Sequence, residues 1–359
     1  MLHSESALVN KMSSSRWEQL YSKIFVLTIL AGLLLIMVQS LTGGFSGFDD
    51  NFPGRARLIS TFNHLRYSMG DQVFPQVLVG KEGWLQFWAG GNLDDYQNAW
   101  IVRPELKRIH QKLERLNEEL TRRGITLIVV VAPNKATIYP DKVPEQIEKI
   151  NKQSRLDVLL ELMNRTSSSY IVDVRPALLA SSKSRQIYYK TDSHWNGRGA
   201  FIAYREIMTA ASQTYPELQP YNLNQFEWNE SRPIILDLAK LLGVNFIREP
   251  WSIPQPAFEA VSHLQRFEPQ SDIAISWGYN GQAKTLVMYH DSFGKVLRQF
   301  LQHQFRTALY IPTRDPDVSN TPWINIINPD IVILEIVERD VPYLDILLSK
   351  LLKQFPQQN

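Results

Sequence analysis

Three runs rich in apolar and β-branched residues, Ile125 to Val131, Thr285 to Tyr289 and Ile331 to Val337, set the main constraint on how this chain can fold. A strand with one wet face alternates apolar and polar side chains. A run without that alternation suits a strand covered on both faces, as in a parallel sheet. Helical patterns lie between the runs. Leu106, Ile109, Leu113, Leu116 and Leu120 recur at spacings of three and four after Pro104, which predicts a helix with one apolar face, ended by Gly124. Further helices are expected at Ser154 to Arg165, Gly199 to Ser212, from Lys295 to Gln302, and Val341 to Phe355, with strands at Tyr170 to Val174 and Ala308 to Ile311. Alternating strands and helices predict a doubly wound, three-layer α/β/α sandwich with a mostly parallel sheet. Ligands of such sheets lie beyond the carboxyl ends of the strands.

A different pattern precedes this domain. Ile24 to Leu41 is uncharged and apolar all round, and as a helix it would span about 27 Å, enough for a bilayer core. Lys11, Arg16 and Lys23 come before it and the first charges after it are Asp49 and Asp50, so the positive-inside rule places the N-terminus in the cytoplasm. The expected organisation is a cytoplasmic segment 1–23, one N-terminal transmembrane helix at 24–41, a juxtamembrane linker and entry segment 42–75, and a domain 76–359. That makes a single-pass protein of the inner (cytoplasmic) membrane with its main domain periplasmic. A cleaved signal peptide is the alternative, disfavoured by the length of the apolar run and the lack of a small-residue cleavage site. Within the main domain, Gly80 to Phe87 suggests a short hairpin. Residues 215–276, rich in Pro and aromatics, read as an insertion that forms one wall of a cleft.

Composition removes several classes of function. The formal net charge of +2 gives no nucleic-acid footprint, and with no cysteine there is neither a disulfide nor a thiolate ligand or nucleophile. No phosphate-loop or complete dinucleotide fingerprint occurs, so a nucleotide enzyme is disfavoured.

Chemistry concentrates in Asp192-Ser193-His194-Trp195 and in Asp291-Ser292-Phe293-Gly294, the latter at a strand-to-helix turn. Serine is a poor nucleophile until a base takes its proton, and histidine serves as that base when a carboxylate fixes its tautomer. A strand-to-helix turn exposes the hydroxyl beside helix N-terminal N–H groups able to hold an oxyanion. The bland readings are that Asp291 or Ser292 only caps the helix, and that Trp195 only packs. A metal set of Asp192, His194, His290 and Asp291 is disfavoured, because no familiar ligand spacing occurs. The remaining histidines, His3, His64, His110, His263 and His303, lack partners at ligand spacing.

Five blocks in order, Gly80 to Trp84, Ala132 to Lys135 with Tyr139-Pro140, Asp192 to Asn196, Asp291 to Gly294, and Glu335 to Arg339, resemble the alginate O-acetyltransferases of the AlgJ and AlgX type, SGNH-hydrolase-like proteins. The resemblance covers most of the chain beyond the expected anchor, and by anchor and length it is closer to AlgJ. It implies an SGNH-like catalytic domain and a membrane-anchored polysaccharide O-acetyltransferase acting on an exported, alginate-like exopolysaccharide. The family's catalytic residues map onto Asp192, His194 and Ser292. Gly294, Asn134, Lys135, Trp195 and Arg339 become candidates for oxyanion donors or substrate contacts. One departure is His290, which stands where a glycine commonly precedes the Asp-Ser pair.

The expected mechanism passes an acetyl group through Ser292, with no bound cofactor. Acetyl-CoA is cytoplasmic and the expected topology puts Ser292 outside, so the donor must be delivered, and the resemblance implies a multipass membrane acyltransferase as partner. Two alternatives stay open: a carbohydrate acetylesterase with the same triad, and a non-catalytic, anchored polysaccharide-binding or scaffold subunit.

Overall fold

Beyond the first sixty residues the chain winds around one seven-stranded sheet, whose order follows from which apolar runs are long enough to be covered on both faces. The structure is a computed structural model, and it describes residues 21–32, 34, 55–89, 92–99, 101–164, 170–258, 262–266, 272–278 and 282–355. The chain divides into two compact units, Met1–Phe62 and Asn63–Asn359, and all the strands named below lie in the second. Of the stretch expected to span a membrane, residues 24–32 and 34 are described and helical, and the rest lies outside the described residues. No helix among the described residues is long and apolar enough to cross a membrane.

The strands are β1 (Val77–Val79), β2 (Leu85–Phe87), β3 (Thr126–Ala132), β4 (Ile171–Val172), β5 (Phe226–Glu230), β6 (Ser252–Pro256), β7 (Ser262–Arg266), β8 (Ala274–Gly278), β9 (Gln282–His290), β10 (Phe305–Pro312) and β11 (Ile331–Val337). The main sheet has the order β4-β3-β11-β9-β10-β8-β7. Its first five strands run parallel, and β8 and β7 add antiparallel at the β10 edge. β1 and β2 form the expected hairpin, and β5 pairs with β6 in a separate ribbon.

Period-two alternation sends neighbouring side chains to opposite faces, and both faces are dry. Ile128, Val130, Leu286, Met288, Ile333 and Val337 join one core with helices Gly197–Thr214 and Gly294–Leu301. Leu127, Val129, Val287, Tyr289, Val332 and Leu334 join the other with helices Arg103–Thr121, Arg155–Asn164 and Leu344–Leu352. The result is a three-layer α/β/α sandwich. All five apolar positions spaced at three and four on helix Arg103–Thr121 are buried, each contributing on the order of 2 kcal/mol of transfer free energy. Gly124, at φ +71°, takes the left-handed conformation that lets the chain turn from this helix into β3.

Three local expectations shift. The final helix starts at Leu344 rather than Val341, because the chain first makes a 3-10 turn, Glu338–Tyr343, that takes in Val341 and Pro342. β4 is two residues long, since the chain enters helix Arg175–Ser182 directly after Val174, with Pro at its start. The segment 215–276 is not one insertion. Its first part makes the β5–β6 ribbon, whereas β7 and β8 belong to the main sheet, β7 as its exposed edge strand and β8 between β7 and β10, both too short and too wet outside to show a long apolar run.

Register places the site. Val337 of β11 is level with Ala132 of β3, and Leu334 is level with Tyr289 of β9, so these three strands end along one rim. The turns that follow them carry Asn134 and Lys135, Asp291 to Gly294, and Glu338 with Arg339.

Candidate active site

Ser292 stands exposed in the turn between β9 and helix Gly294–Leu301. His194, 98 residues earlier in the chain, brings its Nε2 to 2.7 Å from Ser292 Oγ. Its Nδ1 lies 2.6 Å from Asp192 Oδ1. The carboxylate can only accept, so Nδ1 carries the proton and Nε2 is left as the acceptor for the serine hydroxyl. The backbone N–H of His194 donates to the same Oδ1 at 3.0 Å, which fixes carboxylate and ring together. Burial opposes the charge on Asp192, but the hydrogen bonds from His194 and from the Asp237 N–H, with the electrostatic pull of His194, outweigh it and hold the pKa below the usual value.

The loop bearing Asp192 and His194 has no regular structure, and its shape comes from outside contacts. Glu249 accepts the N–H groups of Lys190 and Thr191 and the Thr191 hydroxyl. Asp237, at the start of helix Asp237–Leu242, accepts the Ser193 N–H at 2.9 Å and the Ser193 hydroxyl at 2.6 Å, and its own N–H donates to Asp192 Oδ2 at 3.3 Å. Asp237 Oδ2 is also 3.7 Å from His194 Nδ1. Burial, then the charge of Asp192, raises the Asp237 pKa. Sequence reasoning missed Asp237 and Glu249, which lie in the Pro- and aromatic-rich segment, where no pattern marks either residue. Among the described residues, Asp192, His194 and Asp237 have side-chain ligand atoms all within 4.8 Å of one another. His290 turns away from them, its Nδ1 2.6 Å from the Asp291 carbonyl oxygen and its ring fully buried.

The other candidates have definite places. Lys135 is buried, and its ammonium donates to the carbonyls of Asp192 at 2.7 Å and of Tyr189 and Lys190 at 3.1 Å each. It binds the loop of Asp192 and His194 to the β3 rim, and its ammonium is taken up by these three carbonyls. Trp195 is fully enclosed, its ring edge-on to Phe293 and its Nε1–H donating to the Phe293 carbonyl, so it packs behind the site. Asn134 donates to Asp95 Oδ2 at 2.6 Å and accepts from Arg339 at 3.1 Å. The Arg339 guanidinium lies 5.5 Å over the Phe293 ring. The Gly294 N–H is taken by the Glu335 carboxyl group, and the Phe293 N–H by Asp291. The Ser292 N–H has no partner among the described residues, which leaves it free to meet an oxyanion. A Cβ on Gly294 would lie 2.4 Å from His290 Cβ, so only glycine lets the helix start this close to β9.

Lys135 yields a test. Burial lowers its pKa to about 8 from the usual 10.5, against the pull of Asp192, Asp237 and Glu249. Between these values the unfolded chain holds more protons than the folded one, so this group makes stability rise as pH climbs from about 8 towards 10.5. Lys135→Met is expected to remove that rise and, by leaving three carbonyls without a donor, to cost about 1–3 kcal/mol at neutral pH. Urea midpoints measured across that range check both effects.

A small cleft whose lining includes Phe87, Trp88, Tyr96, Asn134, Ser193 and Arg339 adjoins the site. The hairpin and helix Asn92–Gln97 bring these aromatic side chains to the rim.

Comparison with known proteins bears on the fold and the family. In fold, the chain is similar to a DHHW family protein from Eubacterium siraeum, with a TM-score of 0.55 and 17% identity over 75% of this chain and 93% of that one. It is likewise similar to Bacillus cereus PatB1, with a TM-score of 0.53 and 15% identity over 74% of this chain and 96% of that one. In sequence it is 25% identical over 173 residues to the "Probable alginate O-acetylase AlgJ" of Pseudomonas aeruginosa, covering 47% of this chain and 41% of that protein. The protein of the same name from Pseudomonas fluorescens is 23% identical over 233 residues, 64% of this chain and 56% of that one. The chain thus spans about half the length of these curated relatives. The family model described as "SGNH hydrolase-like domain, acetyltransferase AlgX" matches residues 77–274, a stretch that takes in Asp192 and His194 and stops short of Ser292. With more than half of its length matched, this chain belongs to the SGNH hydrolase-like acetyltransferase family of AlgX.

Proposed function

We propose that the protein is an O-acetyltransferase that moves an acetyl group through Ser292 onto hydroxyls of an exported polysaccharide. The observation that carries this reading is the hydrogen-bonded relay from Ser292 Oγ to His194 Nε2 and from His194 Nδ1 to Asp192. In the first half-reaction His194 takes the Ser292 proton as Oγ bonds to the acetyl carbonyl carbon. The bond to the donor's leaving group then breaks, and His194 returns the proton to that group. In the second, a sugar hydroxyl gives its proton to His194 and attacks the acetyl-serine, and the proton passes back to Ser292. The free Ser292 N–H supports a role as oxyanion donor, a contact whose loss typically costs on the order of 3 kcal/mol in barrier height. Aromatic rings beside Arg339 in the adjoining cleft suit a sugar face and its polar edge.

The names of the AlgJ relatives support a polysaccharide acceptor of the alginate kind. The apolar stretch 24–41 supports anchoring in the inner membrane with the catalytic domain outside, and that topology calls for a multipass membrane acyltransferase as acetyl donor. No bound cofactor enters the chemistry.

Exposure of Ser292 favours one competitor, an esterase in which water takes the place of the sugar hydroxyl. The full chain in detergent, supplied with an activated acetyl ester and oligosaccharides, decides between them by mass spectrometry. Acetylated sugar is the expected product. Free acetate alone would favour hydrolysis, and neither product would favour a binding or scaffold subunit.

A further inference from the structure

Glu335 breaks the pattern of its strand. β11 reads Ile-Val-Ile-Leu-Glu-Ile-Val with every residue buried, so a carboxyl group there loses its hydration and must find partners. Alternation places Glu335 on the face of Ile333 and Val337, and places His290 on the same face through Leu286 and Met288. Both lie against the start of helix Gly294–Leu301, where a Cβ on Gly294 would be 2.4 Å from His290 Cβ and 2.7 Å from Glu335 Oε2.

The partners of Glu335 belong to the turn that carries Ser292. Oε2 accepts the Asp291 N–H at 3.1 Å, and the Gly294 N–H also reaches this carboxyl group. Asp291 in turn accepts the Phe293 N–H at 2.8 Å through Oδ1 and the Val337 N–H at 2.7 Å through Oδ2. The N–H groups on either side of Ser292 therefore all end on one acid pair, and the two carboxyl groups are within hydrogen-bonding reach of each other. Two carboxylates in contact and out of water do not both ionise. Glu335 Oε1 is buried with no donor, whereas both Asp291 oxygens already accept an N–H, so the proton of the pair belongs on Glu335.

We propose that neutral Glu335 is a positioning residue for the nucleophile: it clamps the turn from Asp291 to Gly294 so that Ser292 Oγ meets His194 and the Ser292 N–H stays free for an oxyanion. This inference rests on the reading of Ser292, His194 and Asp192 as the catalytic triad. Burial and the charge of Asp291 raise the Glu335 pKa well above the ordinary carboxylate value. Around the pair are His290 on β9, Tyr188 facing Glu335, His194 and Arg339 facing Asp291, and Lys295, Arg298 and Asp272 facing His290. Once Glu335 ionises, its repulsion of Asp291 loosens the turn, and activity declines as pH rises. Lys135, whose pKa burial lowers to about 8, adds a pH dependence of its own, so the assignment depends on what Glu335→Gln changes rather than on the decline alone.

The test uses the full chain in detergent, with Glu335→Gln, Glu335→Leu and Ser292→Ala. Infrared difference spectra at neutral pH are expected to show the carbonyl stretch of a buried protonated carboxylic acid in the wild type and in Ser292→Ala, and not in Glu335→Gln. Glu335→Leu is expected to lower kcat about 100-fold with KM little changed, the size of effect that a misplacement of about 1 Å produces. Glu335→Gln, which donates and accepts in the same places, is expected to restore most of that loss and to remove one group from the alkaline limb. A band that persists in Glu335→Gln, or an alkaline limb unchanged in it, overturns the proposal. So does a Glu335→Leu enzyme as fast as wild type. Should Glu335→Leu not fold, the band and the pH profile of Glu335→Gln decide alone. Full activity in Ser292→Ala would overturn the triad instead, and the band would still report on the acid pair.

Discussion

Ser292→Ala is expected to lower kcat for acetyl transfer by roughly 10⁴–10⁶-fold while leaving the fold intact. The hydroxyl is exposed and its only described partner is His194, so its loss leaves no buried group unpaired. Thermal unfolding of the variant should match the wild type. Mass spectrometry after brief exposure to an activated acetyl ester should find one added acetyl group on the wild type and none on the variant. Acetylation that persisted in Ser292→Ala would place the nucleophile elsewhere.

Asp192→Asn is expected to cost about 10⁴-fold in kcat, because an amide can donate to Nδ1 and so stabilise the wrong tautomer, with its proton on the nitrogen that faces Ser292. The structure adds a refinement. Asp237 Oδ2 lies 3.7 Å from the same Nδ1 and is already held by Ser193. A modest turn of the ring would let Asp237 take over part of the role, so the loss in Asp192→Asn should deepen when Asp237→Asn is added. Steady-state kinetics of the single and double variants measure this directly. Additive or smaller effects would confine Asp237 to shaping the loop.

Much of the fold was legible because burial on two faces leaves its mark on single residues. β3 and β9 lie within three residues of the runs that foretold them, as does helix Arg103–Thr121, since their apolar positions answer to sheet or helix periodicity alone. β7 and β8 were not legible. Residues 263–266 of β7, at the edge, are exposed on both faces, and the inner neighbour β8 turns Trp277 outward, so neither strand carries an apolar run. The start of the last helix was misjudged because Val341 is buried in a 3-10 turn that runs straight into it, and an apolar position alone does not separate the two kinds of turn.

In the site, Ser292, His194 and Asp192 were recognisable because each lies in a short local motif, and the structure brings them together within hydrogen-bond distance. Trp195 and Lys135 looked like substrate contacts only because sequence does not say which way a side chain points, and both point into the protein. Asp237 and Glu249 act through contacts 44 to 59 residues away, a separation at which no local pattern survives. Glu335 could have been found. A carboxylate in the middle of a seven-residue strand that is otherwise apolar is a signal in itself, and its meaning came from the turn it touches.

The segment with Asp192 and His194 is docked by Lys135, Asp237 and Glu249, while Ser292 is held by β9 and β11, with no peptide connection between the two parts for almost a hundred residues. Their alignment is a property of two surfaces meeting. Which part is synthesised first is immaterial to it. A circular permutant opened in an exposed turn between them would keep the same relay, and this independence explains how a serine machine can run with its parts in Asp, His, Ser order.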